Sequence, residues 1–341
     1  MKRVLLYILT FVLLCFMIPL IFTKRPETEK TAFEGQQNTN IIEEKQSSTN
    51  TNYGTIKLLH TETGEIEELP MNEYLYGVVS AEMPANYEIE ALKAQAIVAR
   101  TFSAYKVYKG SKHENADICD SSKCCQAWIS KEKRFEKWNE EERESNWNKI
   151  TTAVDETAGS IITYNGEPIN AFFHSNSGGT TETANNVWGG NNYPYLQSVE
   201  TIGEDGYTQY SSTVTLTKDE LIQKLQAYYP EISINWDEEN SIQILEYTES
   251  GRIKTIKFGN VNISGVEARK IFGLKSAKFN IETDVNITFN VVGYGHGVGL
   301  SQTGADAMAK TGADAEQIIN HYYTDIKIEK IWIKSKKQVH N

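Results

Sequence analysis

The chain has 341 residues and a formal net charge of -11 at neutral pH, and no basic tract stands out in it. This charge balance makes nucleic acid an unsuitable partner, because binding to a phosphate backbone requires a basic surface. Of the four cysteines, Cys15 stands alone near the amino terminus, whereas Cys119, Cys124 and Cys125 form a cluster. An odd number in that cluster leaves at least one thiol unpaired within it.

Residues 1–23 predict a cytoplasmic stub and a membrane anchor. Residues 4–22 contain no charged side chain and are followed by Lys24 and Arg25. A helix of this length spans roughly 28 Å, close to the roughly 30 Å hydrocarbon core of a bilayer. A cleaved secretory signal is the alternative, but no small-residue cleavage site follows the apolar run. We therefore expect an uncleaved single-pass anchor in the cell membrane, with a cytoplasmic amino terminus and an extracytoplasmic ectodomain.

The rest of the chain divides by composition and by pattern. Residues 24–52 are polar and predict a flexible tether, because they cannot bury enough apolar surface to fold alone. We expect a mixed α+β ectodomain with a helical catalytic core and strand-rich elements, forming two lobes around a substrate groove. The predicted bounds are 53–335 for the ectodomain, with 53–200 and 290–335 as the core and 201–289 as the second lobe, and 336–341 for a tail.

The first predicted elements of the ectodomain are two strands, at residues 56–60 and 65–69, followed by a helix over residues 72–79. This helix should stop near Met83, because Pro84 disfavours a helical conformation in the residue before it. Charged residues then dominate a segment that predicts an exposed helix with one packed edge. The further predictions are helices at 89–108, 131–147, 152–159, 300–309 and 314–322, a hairpin of 161–164 with 169–173 through Asn165-Gly166, a capping box of Asp314 with Gln317, and a strand at 326–333.

Glu82 lies at the junction between the first two predicted helices, beside Val79, Met83 and Pro84. Burial among apolar neighbours would raise the pKa of its carboxyl group towards that of a general acid. The positive amino end of the following helix would lower that pKa. An isolated glutamate at such a junction is more often a solvated or capping residue. The residues alone leave both interpretations open.

His113, Cys119 and Cys125 are spaced six residues apart, which is a moderate signal for a Zn²⁺ site. Three protein ligands would leave one tetrahedral position for water, for substrate or for Glu82. A disulfide from Cys119 to Cys124 or Cys125 and a set of free thiols are the alternatives.

Glycine alternates with Tyr294, His296 and Val298 over residues 293–299. The spacing does not fit the phosphate-binding pattern G-x-G-x-x-G, so neither a nucleotide nor another organic cofactor is expected. Such glycines allow close backbone approach, either to a partner strand or to a sugar chain. For His296, a packed hydrogen-bonded role and a substrate-binding role remain equally open.

Six segments together resemble one known family, that of stage II sporulation protein D, which lies within the wider amidase-enhancer family. The resemblance covers nearly the whole ectodomain in chain order, and the anchor and tether match as well. The segments are Ala-Glu-Met-Pro at 81–84, Ala-Leu-Lys-Ala-Gln-Ala-Ile-Val-Ala-Arg-Thr at 91–101, the Cys/His cluster at 113–125, His-Ser-Asn-Ser-Gly-Gly-Thr-Thr-Glu at 174–182, Gly-Tyr-Gly-His-Gly-Val-Gly-Leu-Ser-Gln at 293–302, and Ile-Asn-His-Tyr-Tyr at 319–323.

The resemblance implies a peptidoglycan lytic transglycosylase of sporulation, which remodels septal cell wall during engulfment and acts on glycan strands without stem peptides. Glu82 would be its catalytic acid and base, and 1,6-anhydro-N-acetylmuramic acid ends would be its products. The resemblance also implies zinc at His113, Cys119 and Cys125. The substrate-binding residues that it suggests are Arg100, His174, Ser175, Ser177, Tyr294, His296, Ser301 and Gln302.

The partners implied are peptidoglycan glycan strands, the membrane, a cell-wall amidase (stage II sporulation protein P) and the multispanning stage II sporulation protein M in an engulfment complex. A non-catalytic glycan-binding enhancer of an amidase is the main alternative function. A zinc hydrolase that uses a metal-activated water is a weaker alternative. One departure from the family is Thr303-Gly304-Ala305 after Gln302, where relatives often carry an aromatic residue.

Overall fold

The computed structural model describes residues 54–190 and 193–330, so the predicted anchor, tether and tail lie outside the described residues. Within these two ranges, no helix combines the length and the apolar character needed to cross a bilayer. The described residues belong to one compact unit, in which helices are combined with several small sheets. The prediction of a mixed α+β fold is therefore confirmed.

The helices, in chain order, are α1 (Met71–Glu82), α2 (Ile89–Lys109), α3 (Lys131–Lys137), α4 (Arg143–Glu156), α5 (Ala184–Trp188), α6 (Lys218–Gln226), α7 (Gly265–Phe272), α8 (Gln302–Lys310) and α9 (Ala315–Tyr322), with a 3-10 turn at Glu140–Glu142. The strands are β1 (Thr55–Leu59), β2 (Ile66–Pro70), β3 (Ile118–Cys119), β4 (Ser160–Tyr164), β5 (Glu167–Pro168), β6 (Phe173–His174), β7 (Ser211–Thr217), β8 (Ile242–Tyr247), β9 (Ile253–Phe258), β10 (Val261–Ser264), β11 (Phe279–Thr283), β12 (Asn286–Val292), β13 (Leu300–Ser301) and β14 (Lys327–Lys330).

Local sequence signals placed several of these elements correctly. Helix α1 ends at Glu82, and Met83 is extended with φ -123° and ψ 143°, as expected of a residue that precedes proline. Strands β1 and β2 pair antiparallel. The capping box at the start of α9 is confirmed, since Asp314 and Gln317 exchange side-chain to backbone hydrogen bonds.

Two of the predicted elements have different bounds. The charged segment 131–147 is not one helix, because α3 ends at Lys137 and Trp138 is extended. Trp138 packs against the hydrophobic core there, and the Arg134 guanidinium lies 4.7 Å from the centre of its ring. Helix α4 then continues to Glu156, so it includes the start of the short helix that was predicted separately.

The second correction concerns the hairpin through Asn165-Gly166. Only Glu167 and Pro168 pair with β4, and Pro168 has no N–H to continue the ladder. The strand predicted over 169–173 therefore does not form, and its last residue belongs to β6, which pairs in parallel with β13 far along the chain.

The buried apolar residues form two clusters. The first lies among α1, α2, α4, α8 and α9, with contributions from β1 and β4, and it combines residues from before and after the inserted segment. The second packs α6 and α7 against the sheets β11-β12-β7 and β10-β9-β8. The predicted domain bounds at 201 and 289 stay a prediction.

The alternating glycines of residues 293–299 serve close approach to a partner strand. Gly299 precedes β13 with φ +71°, and a Cβ atom built there would lie 2.0 Å from the Phe172 carbonyl oxygen. Any side chain at this position would therefore push β13 away from β6. Of the two explanations offered by the sequence, the structure supports packing between strands.

We predict that Gly299→Ala lowers the free energy of unfolding by about 3 kcal/mol or more, because it adds a backbone clash to the cost of a positive φ. Gly273→Ala is the matched control, since Gly273 has φ +70° and no atom within 4 Å of its built Cβ. The control should cost only about 1–2 kcal/mol, the conformational term alone. Urea denaturation followed by circular dichroism measures both, and equal losses would contradict the role of the clash.

Candidate active-site groove

Glu82 lies in a groove of about 780 Å³ that brings together segments distant in the chain. Among the described residues that line this groove, Glu82 is the only acidic one, whereas Lys106 and Lys123 supply positive charge. Aromatic side chains form an apolar wall, which we call the aromatic wall and which consists of Phe102, Phe172, Phe173 and Trp188.

The carboxyl group of Glu82 is held in place at the carboxyl end of α1. The Ala127 N–H donates a hydrogen bond to its Oε1 at 2.6 Å. Burial raises the pKa of Glu82, while the Ala127 N–H and the Gln302 side chain oppose that shift without reversing it. The end of α1 is the negative end of its dipole, so this helix gives the carboxylate no support. The carboxyl group therefore holds its proton at a higher pH than an ordinary glutamate.

A group of four possible metal ligands lies at the edge of the groove. One ligand atom from each of His113, Cys119, Cys124 and Cys125 lies within 4.8 Å of all the others. His113 Nε2 is 3.4 Å from Sγ of both Cys124 and Cys125, and these two sulfur atoms are 3.7 Å apart. For tetrahedral coordination with metal–sulfur bonds of about 2.3 Å, ligand atoms should be separated by roughly 3.5–3.8 Å. The cluster therefore could hold a metal ion.

The sequence prediction of three ligands did not include Cys124, which the structure places with the other three. All three cysteines are free thiols, so a Cys119 disulfide does not form. Cys124 and Cys125 also line the groove, and Ala127, two residues further on, bonds Glu82. The loop that carries the cluster thus also positions the carboxyl group.

Glu204 is a buried carboxylate that joins the two polar segments of the sequence. It is 1% exposed and lies in the loop between the helical core and β7. Its oxygens accept hydrogen bonds from the backbone N–H groups of Ser177 and Gly179 at 2.9 and 3.0 Å. They also accept from the hydroxyls of Ser177, Ser301 and Thr303. Residues 174–182 and 293–302 are therefore fixed to each other through one side chain.

A second polar network attaches the inserted segment to the same region. The guanidinium of Arg252 donates to the carbonyl oxygens of Ser177 and Thr180 at 2.7 and 2.8 Å. In the opposite direction, Thr248 and Ser250 donate to the carboxylate of Glu182. Because charged groups are used at both ends, these bonds are stronger than neutral ones. The turn between β8 and β9 is thereby held against residues 177–182.

The two histidines of the groove are neutral and have fixed tautomers. His174 Nδ1 lies 3.1 Å from the Val298 carbonyl oxygen, so it must carry a proton. His296 Nδ1 accepts from the Val298 N–H, and its other nitrogen bonds the Phe173 backbone. Burial lowers the pKa of His174 to about 3 and that of His296 well below its usual range. Both nitrogens of His296 are therefore used within the protein, whereas its ring still lines the groove.

The structure separates the eight suggested substrate-binding residues into three groups. Arg100 is 1% exposed and bonds the carbonyl oxygens of Val154, Thr157 and Ser160, so it holds the end of α4 within the core rather than lining the groove. Ser177 and Ser301 bond Glu204. The residues that line the groove with Glu82 are His174, Ser175, Tyr294, His296 and Gln302.

Three contributors to the site had no usable sequence signal. Glu204 reads as an ordinary acidic loop residue, and only the fold brings five donors to it. The Ala127 N–H is a backbone group, which no residue type reveals. Trp188 was expected to pack in a core, yet it is 49% exposed and forms part of the aromatic wall, with its ring 4.5 Å from that of Phe172.

We predict that Glu204→Gln lowers the free energy of unfolding by about 2–3 kcal/mol, because an amide NH₂ would then face N–H and O–H donors in a buried place. Glu200→Gln is the matched control, since Glu200 is exposed and carries the same charge. It should change stability by less than about 0.5 kcal/mol. Chemical denaturation measures both, and a Glu204→Gln protein as stable as the control would contradict the role assigned to Glu204.

Comparison with known proteins relates these features to one family. Residues 60–164 match the family model described as Stage II sporulation protein. The chain is 35% identical over 278 residues to Stage II sporulation protein D of Bacillus subtilis, covering 80% of this chain and 78% of that protein. It is also 29% identical over 301 residues to the Amidase enhancer of Bacillus subtilis, covering 73% of this chain and 39% of that protein. The chain therefore belongs to the stage II sporulation protein D family.

Proposed function

We propose that this protein is a lytic transglycosylase that cleaves peptidoglycan glycan strands freed of their stem peptides. The observation that carries the proposal is a single carboxyl group, that of Glu82, among the described residues that line the groove. Ordinary glycoside hydrolysis needs two carboxyl groups, one as acid and one as base or nucleophile. A transglycosylase needs only one, because the substrate supplies its own nucleophile.

In the proposed reaction, protonated Glu82 donates its proton to the glycosidic oxygen while the bond from that oxygen to C1 breaks. The 6-hydroxyl oxygen of the N-acetylmuramic acid ring then bonds to C1 and releases its proton to the Glu82 carboxylate. No water is consumed, the product has a 1,6-anhydro end, and Glu82 is protonated again. The raised pKa of Glu82 favours the first step, and the Ala127 N–H steadies the carboxylate before the second.

We predict that the purified full-length protein converts denuded glycan strands into products with 1,6-anhydro ends. Mass spectrometry distinguishes these from hydrolysis products, which are heavier by one water. Glu82→Gln should reduce the rate by about 100-fold or more, because proton transfer is lost. Glu88→Gln, which alters a nearby glutamate outside the groove lining, is the control. Products that carry added water would rule out a transglycosylase, and full activity of Glu82→Gln would rule out the residue.

We also propose that the metal cluster binds zinc, with His113, Cys119, Cys124 and Cys125 as ligands. The ligand set of one imidazole and three thiols suits this ion, and the separations between ligand atoms fit its geometry. When four protein ligands are bound, zinc supplies folding energy and orders the loop that carries them. A hydrolase that uses a zinc-activated water is less favoured, because it needs an open position that four protein ligands do not leave.

We predict that Cys124→Ser weakens zinc binding by about 100-fold or more, since even the loss of an outer partner of a metal ligand costs about 10–100-fold. Competition with a chromogenic chelator measures the affinity. Ser122→Ala, in the same loop, should bind zinc as the unaltered protein does. If Cys124→Ser kept full affinity, Cys124 would not be a ligand and the three-ligand site would be restored.

A second candidate function is that of a glycan-binding enhancer of an amidase. The similarity to the Amidase enhancer of Bacillus subtilis favours it. This function predicts that the purified protein binds glycan without forming products, and that Glu82→Gln still stimulates the amidase. Product analysis of the unaltered protein therefore separates the two candidates.

For the cell, we propose the location and partners that the family resemblance suggests. The protein would be anchored in the cell membrane by residues 4–22, with residues 54–330 facing the wall. It would act in a sporulation engulfment complex with the amidase stage II sporulation protein P and with stage II sporulation protein M. Cleavage would then be limited to wall that lies close to the membrane.

A further inference from the structure

Two buried polar atoms in the groove have no hydrogen-bond partner among the described residues. They are Nε2 of His174 and Nε2 of Gln302. His174 is 4% exposed and Gln302 is 5% exposed, and both line the groove beside Glu82. Leaving such atoms unpaired costs roughly 1–3 kcal/mol each, so groups of this kind normally have a partner. A bound ligand can supply these partners.

The hydrogen-bonding polarity of the pair is fixed. Because His174 Nδ1 donates to the Val298 carbonyl oxygen, Nε2 of the neutral ring carries a lone pair and can only accept. The low pKa of His174 keeps the ring in this form throughout the ordinary pH range. Gln302 Nε2 carries two N–H donors and can only donate. The groove therefore presents one acceptor and one donor.

The strand pairing places the two side chains close together. His174 is the register partner of Ser301 in the parallel pair of β6 and β13, and Gln302 follows directly as the first residue of α8. Neighbouring strands are about 4.8 Å apart, so both side chains reach one small region of the groove. Gln302 also lies near enough to Glu82 to lower the pKa of its carboxyl group. The acceptor and the donor thus flank the position of the proposed chemistry.

A secondary amide satisfies both atoms, since its N–H donates and its carbonyl oxygen accepts. The aromatic wall adjoins the pair, with Phe172 and Trp188 in ring contact, and suits a methyl group. An acetamido substituent has all three features. We propose that His174 Nε2 and Gln302 Nε2 form a recognition site for the acetamido group of an N-acetylated sugar beside the scissile bond. The proposal relies on the proposed function for the identity of the ligand as a glycan.

The experiment measures binding by calorimetry to the full-length protein carrying Glu82→Gln, so that no turnover occurs. N-acetylchitotetraose and cellotetraose are the probes, because both are neutral β-1,4 tetrasaccharides and they differ in an acetamido group against a hydroxyl at C2. We expect the N-acetylated probe to bind at least about tenfold more tightly, the effect of one to two hydrogen bonds.

His174→Phe retains a ring but removes the acceptor, and Gln302→Leu retains the shape but removes the donor. Each change should reduce the preference for N-acetylchitotetraose by about tenfold while leaving cellotetraose binding unchanged. Gln223→Leu, an exposed position on α6, is the matched control and should alter neither affinity.

Equal binding of the two probes to the Glu82→Gln protein would overturn the inference, as would an equal loss for both probes in the His174 and Gln302 variants. Absence of binding to either probe would overturn it as well. The proposed reaction is tested separately by its anhydro products. A protein that keeps the acetamido preference but forms no such products would support this recognition site and contradict the transglycosylase.

Discussion

The groove depends on the carboxylate of Glu204, which is buried between two segments that are far apart in the chain. Ser177 and Gly179 bond it from one segment, and Ser301 and Thr303 bond it from the other. A buried charge is tolerated only when hydrogen bonds replace its hydration, and here five donors do so. The same requirement keeps both segments in place, because withdrawal of either would leave a charge without partners. The position of Gln302, between Ser301 and Thr303, follows from this arrangement.

Glu82 and the metal cluster are connected through the backbone rather than through a shared ion pair. The loop that brings Cys124 and Cys125 to the edge of the groove continues to Ala127, whose N–H bonds Glu82. A metal bound at the cluster would order this loop and so maintain that bond. Because the N–H stabilises the carboxylate while burial stabilises the acid, Glu82 is balanced between its two protonation states. Such a balance suits a group that must first give and then take a proton.

The inserted segment contributes to the groove by holding its wall, and its own hydrophobic cluster is separate from that of the helical core. Arg252 and Glu182 provide the connection, and each is bonded by groups from the other side. Polar networks of this kind are directional, so they set an orientation that apolar contact alone would leave loose. Gly299 adds a steric condition, since only a glycine lets β13 approach Phe172 so closely.

The sequence by itself determined the features that depend on neighbouring residues: the end of α1 before Pro84, the capping box of α9 and the first strand pair. It also pointed to Glu82 and to three of the four clustered ligands, through motifs that resemble a known family. Tertiary structure alone decided the rest. The interruption at Trp138 and the pairing of β6 with β13 result from packing against distant residues, which local propensity does not encode. The inclusion of Cys124, the burial of Arg100 away from the groove and the five bonds to Glu204 have the same origin. A donor or acceptor acquires its role only when the fold either satisfies it, as with Arg100, or leaves it facing the groove, as with His174.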